Sequence, residues 1–459
     1  MFTVREGRER GRLLRKTVAH ADHGELRLPD RDPVGILVQQ NATRLADLVP
    51  VRIGRMLQSP FSFYRGTAAV MAHDLSTDRV TGEQVLSCGD AHISNFGMFA
   101  SPERRLLFDL NDFDEAATAP WEWDVKRLAA SVVLGGRDRG MSESRCRDAA
   151  QTAVQAYRET LGYMYELTAL ERYYYQVETD WVESLVKSKH RKLVRDHVEK
   201  SRQRTSEQVR DKLMAVDEHG SLRFTERPPT TRHVELPSLE EVQRLFEQYC
   251  STLRSDAAYL LTQFRLVDFV LRAVGVGSVG TRCYVVMLEG PAGAPLFLQV
   301  KEAPPSVLET YGRRPLVTPQ GVAPARRGRQ GHRVVTSQRI LQAQSDPFLG
   351  WITAWANPEQ PRRADYYWRQ FRDMKGSVRL ERLPQSLYAD YVRLCGQLLA
   401  RAHSQSPGGS VVLGYLGRSE RFEQAVARWA VAYADQSEQD FAALDAAVRA
   451  GRLPVERGV

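Results

Sequence analysis

The sequence predicts an α+β protein in two unequal parts, a helix-rich part first and a β-containing part second. Three observations carry this. Helical apolar spacing dominates from Ile36 to Leu75 and again across 121–262. Near Phe264 the character changes: Thr281–Leu288 (TRCYVVML) is rich in β-branched and aromatic residues, Glu289–Gly293 reads as a turn, and Leu296–Lys301 (LFLQVK) reads as a second strand, together a hairpin. Beyond residue 381 helical spacing returns, with Leu387, Tyr391, Leu394, Leu398 and Ala402 on one face. The expected division is a polar, loosely packed extension (1–35), a helix-rich part (36–263), a β-containing part (264–380) and helices returning to the first part (381–459).

Shorter elements complete this reading. Val85–Asn95 is expected as a strand entering a loop, and Leu106–Asp112 as another short strand before an acidic cluster. Ser306–Tyr311 and Arg333–Gln344 are expected helices, Tyr366–Phe371 a strand, and about 420–450 a helix. With 459 residues, 42% of them hydrophobic and 26% charged, the chain can bury a large core, and global disorder is excluded.

The net charge of +8 is a mild basic excess, suited to nucleotides or other polyanions but ordinary for a soluble surface. The five cysteines are scattered, without zinc or disulfide spacing, which fits a reducing cytoplasm. The Arg-rich start lacks an apolar stretch after it, and no window approaches a membrane span. No zinc finger or RNA-binding aromatic pattern supports nucleic-acid binding.

Two acidic loops carry the chemistry. The first, Cys88-Gly89-Asp90-Ala91-His92-Ile93-Ser94-Asn95, holds an Asp and an Asn five residues apart. The second, Phe108-Asp109-Leu110-Asn111-Asp112-Phe113-Asp114-Glu115, holds four acids and an Asn. Phosphoryl transfer needs such a set. One carboxylate orients and deprotonates the attacking hydroxyl, while an amide oxygen and a second carboxylate hold Mg²⁺, which prefers a few hard oxygens plus water. Taken singly, each of these residues is more simply a turn or helix cap.

Gly275-Val276-Gly277-Ser278-Val279-Gly280 is a G-x-G-x-x-G loop. A dinucleotide site would open a helix directly afterwards; here a strand, a turn and a strand ending in Lys301 follow. Glycines let backbone N–H groups approach phosphate oxygens, and Lys301 supplies a point charge. Glu309, on the short helix after that strand, is the candidate partner for Lys301.

The pattern G-D-x-H-x-x-N followed by D-F resembles the catalytic and metal loops of aminoglycoside-phosphotransferase-type kinases. The resemblance implies ATP and Mg²⁺ as cofactors, Asp90 as base with His92 beside it, and Asn95 and Asp112 as metal ligands with Asp114 as a further candidate. It places Gly275, Gly277, Ser278, Gly280 and Lys301 on the nucleotide. Asp124, twelve residues after Asp112, resembles the Asp that supports the catalytic loop in such kinases. Cys88 stands where they usually have His.

The order of these parts is rotated. The acidic loops come first, then the helical region, the glycine loop, the lysine, a helix, a possible hinge strand, and a helix ending Leu399-Ala400-Arg401-Ala402-His403. The implied fold is a two-lobed protein-kinase-like one in circularly permuted order, its helix-rich C-lobe elements preceding its β-containing N-lobe elements. Permutation is tolerable where chain ends lie close at the surface.

From about residue 30 to 445 the chain is also similar to the bacterial family called domain of unknown function 2252. Segments such as SPFSFYRG, SCGDAHISNFG, FDLNDFDEAATAPWEWDVKRLAAS and RQFRDMKGS carry that similarity. Thr336-Ser337 departs from it, since members usually have Glu-Gly there.

The leading expectation is an ATP–Mg²⁺ phosphotransferase acting on an unidentified small-molecule or protein acceptor. The alternatives are a nucleotide-binding pseudoenzyme and an adenylyl transferase. A metal phosphoesterase ranks low, because that chemistry needs an Asn-His pair and the chain has no N-H dipeptide. Arg65 has two readings, a grip on a substrate anion or a structural ion pair, and the second is preferred. Arg326-Arg327-Gly328-Arg329 is a more plausible anion contact.

Overall fold

The computed structural model describes residues 3–185, 188–234, 239–273, 275–313, 329–357 and 360–458. In chain order its strands are β1 (Gln84–Ser87), β2 (Phe96–Ala100), β3 (Leu106–Leu110), β4 (Ala117–Pro120), β5 (Met214–Val216), β6 (Leu222–Phe224), β7 (Thr231–Arg232), β8 (Arg265–Arg272), β9 (Cys283–Glu289), β10 (Pro295–Glu302), β11 (Gly350–Asn357), β12 (Gln360–Gln370) and β13 (Gly376–Ser377). Helices make up most of the rest, so the fold is mixed α+β.

The first part is built around the helix Trp121–Arg137. Every residue from Trp121 to Gly136 is buried, as expected of a helix at the centre of a core. The helices Glu143–Met164 and Arg421–Arg449 pack on it, and Gln385–His403 packs along Glu143–Met164. The chain's last helices thus return to the first part, as expected.

The second part is a six-stranded antiparallel sheet, ordered β11-β12-β10-β9-β8-β7. The expected hairpin is β9–β10, with Lys301 opposite Cys283. The expected strand Tyr366–Phe371 falls, up to Gln370, in the longer β12, which pairs with β10 and sets Tyr367 opposite Lys301. The sheet's unit begins before residue 264. Strand β7 already belongs to it, and Leu245, Tyr249 and Leu261 of the preceding helices pack with Tyr284, Leu298 and Trp368. Leu45, Leu48 and Val51 join the same cluster, so 45–51 ties the sheet to the helical part.

The N-terminal extension is not loose. Helix Val4–Leu14 has Thr3 as a capping-box residue and lies against Gly409–Leu416. Gly7, Gly11 and Gly414 allow the close approach, because a Cβ at any of them would run into the other helix. His20 and His23 are buried on Tyr415, one on its carbonyl at 2.8 Å and one on its hydroxyl at 2.7 Å. The polar composition of 1–35 conceals this docking because only one narrow face is small.

The five cysteines are free. Among the described residues no helix is long and apolar enough to cross a membrane.

Candidate active site

Two nested strand pairs bring the acidic loops together. Strand β1 leads into 88–95 and pairs antiparallel with β4, which leaves 111–116. Between them β2 and β3 form a second antiparallel pair, with Phe96 opposite Leu110. The loops touch directly: the Asn111 N–H donates to the Asn95 carbonyl at 2.9 Å. Gly89 is required at the crossing. Its φ is +79°, and a Cβ there would strike the Glu115 carbonyl. The helix Trp121–Arg137 anchors the first loop, since Asp124 accepts from the backbone N–H of Cys88 at 2.8 Å and of Gly89 at 3.1 Å. His403, the end of the L-A-R-A-H helix, meets Asp124 at 3.2 Å and Tyr157 at 2.8 Å.

Asp90, His92, Asn95, Asp112 and Asp114 all line one cavity of about 560 Å³, and Gly275, Gly277 and Ser278 line it from the other side. Asp90, which lines the cavity, accepts at Oδ1 from Arg127 Nε at 2.8 Å, while its Oδ2 lies 3.7 Å from His92 Nε2. Burial pushes the Asp90 carboxyl above the ordinary carboxylate range, with Arg127 opposing. Burial, with Arg65 and Arg127 nearby, holds His92 well below the usual imidazole value, so its ring is neutral. Asn95 donates its amide N–H to the Asp90 carbonyl at 2.7 Å. That leaves the Asn95 amide oxygen without a protein partner among the described residues.

Asp112 and Asp114 face different surroundings. Asp114 accepts from the Lys301 ammonium and the Ser278 hydroxyl on one oxygen, and from the Tyr367 hydroxyl at 2.7 Å on the other. Burial works against its charge, but Lys301 and these donors hold it below the usual range. Asp112 is pushed up by burial and by the Asp114 charge, and its one hydrogen bond among the described residues is from the Asp114 backbone N–H at 3.3 Å. Lys375 is depressed to about 7 by the Arg369 charge and by burial, with Asp112 opposing.

Lys301 is buried, and Nζ donates to Asp114 and, at 2.7 Å, to Ser278. This corrects the expected Lys301–Glu309 pair. Glu309 is exposed on the helix Val307–Tyr311 and does not line the cavity. The helix Gln330–Leu341, which contains Thr336-Ser337, has no carboxylate either; its Arg333 donates to the Ala116 and Pro304 carbonyls at 2.6 and 2.8 Å. Gly280 is also outside the cavity lining, and its carbonyl accepts from the Leu45 N–H at 2.8 Å.

The glycine loop is tethered to the segment before the first acidic loop. Arg55 donates to the Gly275 carbonyl at 2.7 Å and Arg44 to the Val279 carbonyl at 2.6 Å. Gly277 lies against the Arg65 carbonyl, where a Cβ would stand 3.2 Å away. The expected ion pair of Arg65 is not found: its side chain makes no hydrogen bond or ion pair among the described residues, and it lines the cavity. Arg326, Arg327 and Gly328 lie outside the described residues, and Arg329 is exposed at a helix start.

Sequence reasoning missed Arg127, Tyr367 and Arg369. Arg127 sits one turn after Asp124, a spacing that puts both on the same side of a helix. Tyr367 and Arg369 alternate on β12 opposite Lys301 and Gln299, a register that no local pattern reveals.

Among the described residues no group of three or more His, Cys, Asp or Glu could hold a metal unaided. The donors do fit Mg²⁺ shared with a ligand. Among the described residues the Asn95 amide oxygen has no partner and Asp112 is a half-buried carboxylate without a hydrogen-bonded cation, while Mg²⁺ takes one or two protein oxygens and completes its shell with phosphate and water.

A bacterial protein family described as "Uncharacterized protein conserved in bacteria (DUF2252)" matches residues 44–447. No curated protein and no solved structure matches the chain.

Proposed function

The chain belongs to that bacterial family, and we propose that it is an ATP–Mg²⁺-dependent phosphotransferase acting on a hydroxyl of a small molecule or protein. We further read its fold as protein-kinase-like in circularly permuted order, with the glycine-loop and lysine sheet following the catalytic helices. The observation that carries this reading is the shared cavity. A base candidate, two metal-ligand candidates and a glycine loop, which share no sequence neighbourhood, open onto one space with Lys301 behind it.

In this reading Asp90 Oδ2 accepts the proton of the acceptor hydroxyl, and Arg127 fixes the carboxylate from its other oxygen. Neutral His92 offers Nε2–H beside Asp90, since its Nδ1 accepts from the Ser94 N–H at 3.2 Å. Lys301 and Ser278 present donors toward phosphate oxygens, and Asn95 and Asp112 would hold Mg²⁺. When bound, Mg²⁺ supplies neutralisation of phosphate charge.

The test uses the full chain. ATP with Mg²⁺ should raise the melting temperature, since a ligand selective for the folded state at a hundred times its Kd stabilises it by about 2.7 kcal/mol. An unchanged curve at millimolar ATP would remove the nucleotide site. Mass spectrometry after incubation then separates the reactions: a gain of phosphate mass supports phosphoryl transfer, and a gain of AMP mass supports adenylyl transfer.

A further inference from the structure

The segment before the first acidic loop carries three arginines that the proposed chemistry does not use. Arg44, Arg52 and Arg65 each have a buried Nε without a hydrogen-bond partner. None lies within ion-pair distance of a carboxylate among the described residues. Arg52 is fully buried, and its partners are neutral: Asn41, Gln40 at 2.6 Å and the Gly66 carbonyl at 3.0 Å. Among the described residues the Arg44 side chain donates only to the Val279 carbonyl. Arg65 donates to nothing among the described residues, and both Arg44 and Arg65 line the cavity. Burial pushes all three below the ordinary arginine range.

A buried charge without a counter-ion is expensive, and proteins usually pair it or hold it for a ligand. The groups whose charges reach Arg65 are Asp90, His92 and Glu381. Asp90 is already committed to Arg127, His92 is neutral, and Glu381 is exposed. Arg65 therefore borders the base, whereas Lys301 and Ser278 cluster on Asp114. A planar guanidinium with its donors free suits an oxyanion, which it can bind through two parallel hydrogen bonds.

We propose that Arg65 is an oxyanion-binding site for the acceptor, which carries a phosphate or carboxylate group near the hydroxyl it presents to Asp90. The word acceptor rests on the phosphotransferase reading; the oxyanion site itself does not. The other source of the same chemistry is the terminal phosphate of the nucleotide.

The experiment titrates the full chain with inorganic phosphate by calorimetry, in the nucleotide-free form and again when saturated with a non-hydrolysable ATP analogue and Mg²⁺. Wild type, Arg65→Gln and Arg65→Lys are compared. The expected result is phosphate binding in both forms, weakened about tenfold or more by Arg65→Gln, as for loss of a charge-assisted pair, and partly restored by Arg65→Lys. Without ligand, Arg65→Gln should melt no lower than wild type, because it removes an unpaired charge. A clear fall in melting temperature would indicate a structural role and overturn the proposal. So would wild type that ignores millimolar phosphate, or Arg65→Gln that binds it normally. If the analogue blocks phosphate and Arg65→Gln weakens the analogue relative to ADP, Arg65 serves the nucleotide and the acceptor assignment falls. If no variant binds the analogue while phosphate binding still depends on Arg65, the nucleotide reading fails and the oxyanion site stands.

Discussion

The two walls of the cleft treat charge in opposite ways. On the wall built from 88–127 and β10, carboxylates and cations meet: Asp90 pairs with Arg127, and Asp114 with Lys301. On the wall built from 41–66, Arg44, Arg52 and Arg65 have neutral partners or none among the described residues. The difference separates charges already paired within the chain from charges that, in the proposed reading, a ligand would pair. Removing one member of a buried pair strands the other, whereas removing an unpaired charge relieves a cost. The same type of substitution, charge to neutral, should therefore change stability in opposite directions on the two walls.

The largest effect is expected at Lys301→Met. It leaves the half-buried Asp114 with only hydroxyl side-chain donors among the described residues, and chemical denaturation should show a loss of about 3 kcal/mol, near the lower end for breaking a buried pair. A loss well under about 1 kcal/mol, the range of a surface pair, would break the contrast between the walls.

Asp90→Asn comes next and sharpens the contrast on the catalytic side. It keeps the shape and removes the proposed base, so on the phosphotransferase reading turnover should fall on the order of a hundredfold or more while nucleotide binding survives. ATP consumption or self-modification reads the first, and a melting shift with ATP–Mg²⁺ reads the second. Full activity in Asp90→Asn would exclude it as the base. Because burial raises the Asp90 carboxyl, wild-type turnover should also decline on acidification before an ordinary carboxylate would protonate.

Glu122 extends the comparison to a carboxylate whose donors are neutral. It is fully buried, accepts from the Thr81 N–H and hydroxyl at 2.7 Å, and is raised by burial to about 7. A raised acid holds a proton in the folded state that the unfolded chain releases, so stability falls with pH between the unfolded value, 4.5, and about 7. Glu122→Gln removes that loss. Its advantage over wild type should grow through this window, to at most about 3 kcal/mol, and then level off. Parallel melting curves across the window would mean that Glu122 is ionised throughout.

A backbone substitution, Gly89→Ala, tests the loop that carries Asp90. The strained φ costs about 1–3 kcal/mol, and the Glu115 carbonyl must give way. Since the first acidic loop moves with it, turnover should fall further than stability alone accounts for, measured as specific activity of the folded fraction.

Much of the site was legible because its signals are local. Asp90 and Asn95 sit five residues apart, Asp112 precedes Phe113, and the glycine loop precedes a strand that ends in a lysine; such spacing survives any folding route. The hairpin β9–β10 and the helix Gln385–His403 were legible for the same reason, since period-two and period-3.6 patterns are written along the chain. Strand β8 was missed because its alternation is broken by polar residues at an irregular register. The docking of the first helix was missed because Gly7 and Gly11 matter only against Gly409–Leu416.

By itself, then, the sequence determined which residues could do chemistry, and roughly which strand or loop each would occupy, because residue type and local periodicity are properties of the chain. Only the tertiary structure decided the pairings. Lys301 goes to Asp114 and not to Glu309, Asp90 goes to Arg127, and Arg65 goes to none among the described residues. The two pairings join residues 37 and 187 positions apart, which strand register and helix packing bring together in space. Charge compensation is decided over a few ångströms, and the chain does not carry that distance until it is folded.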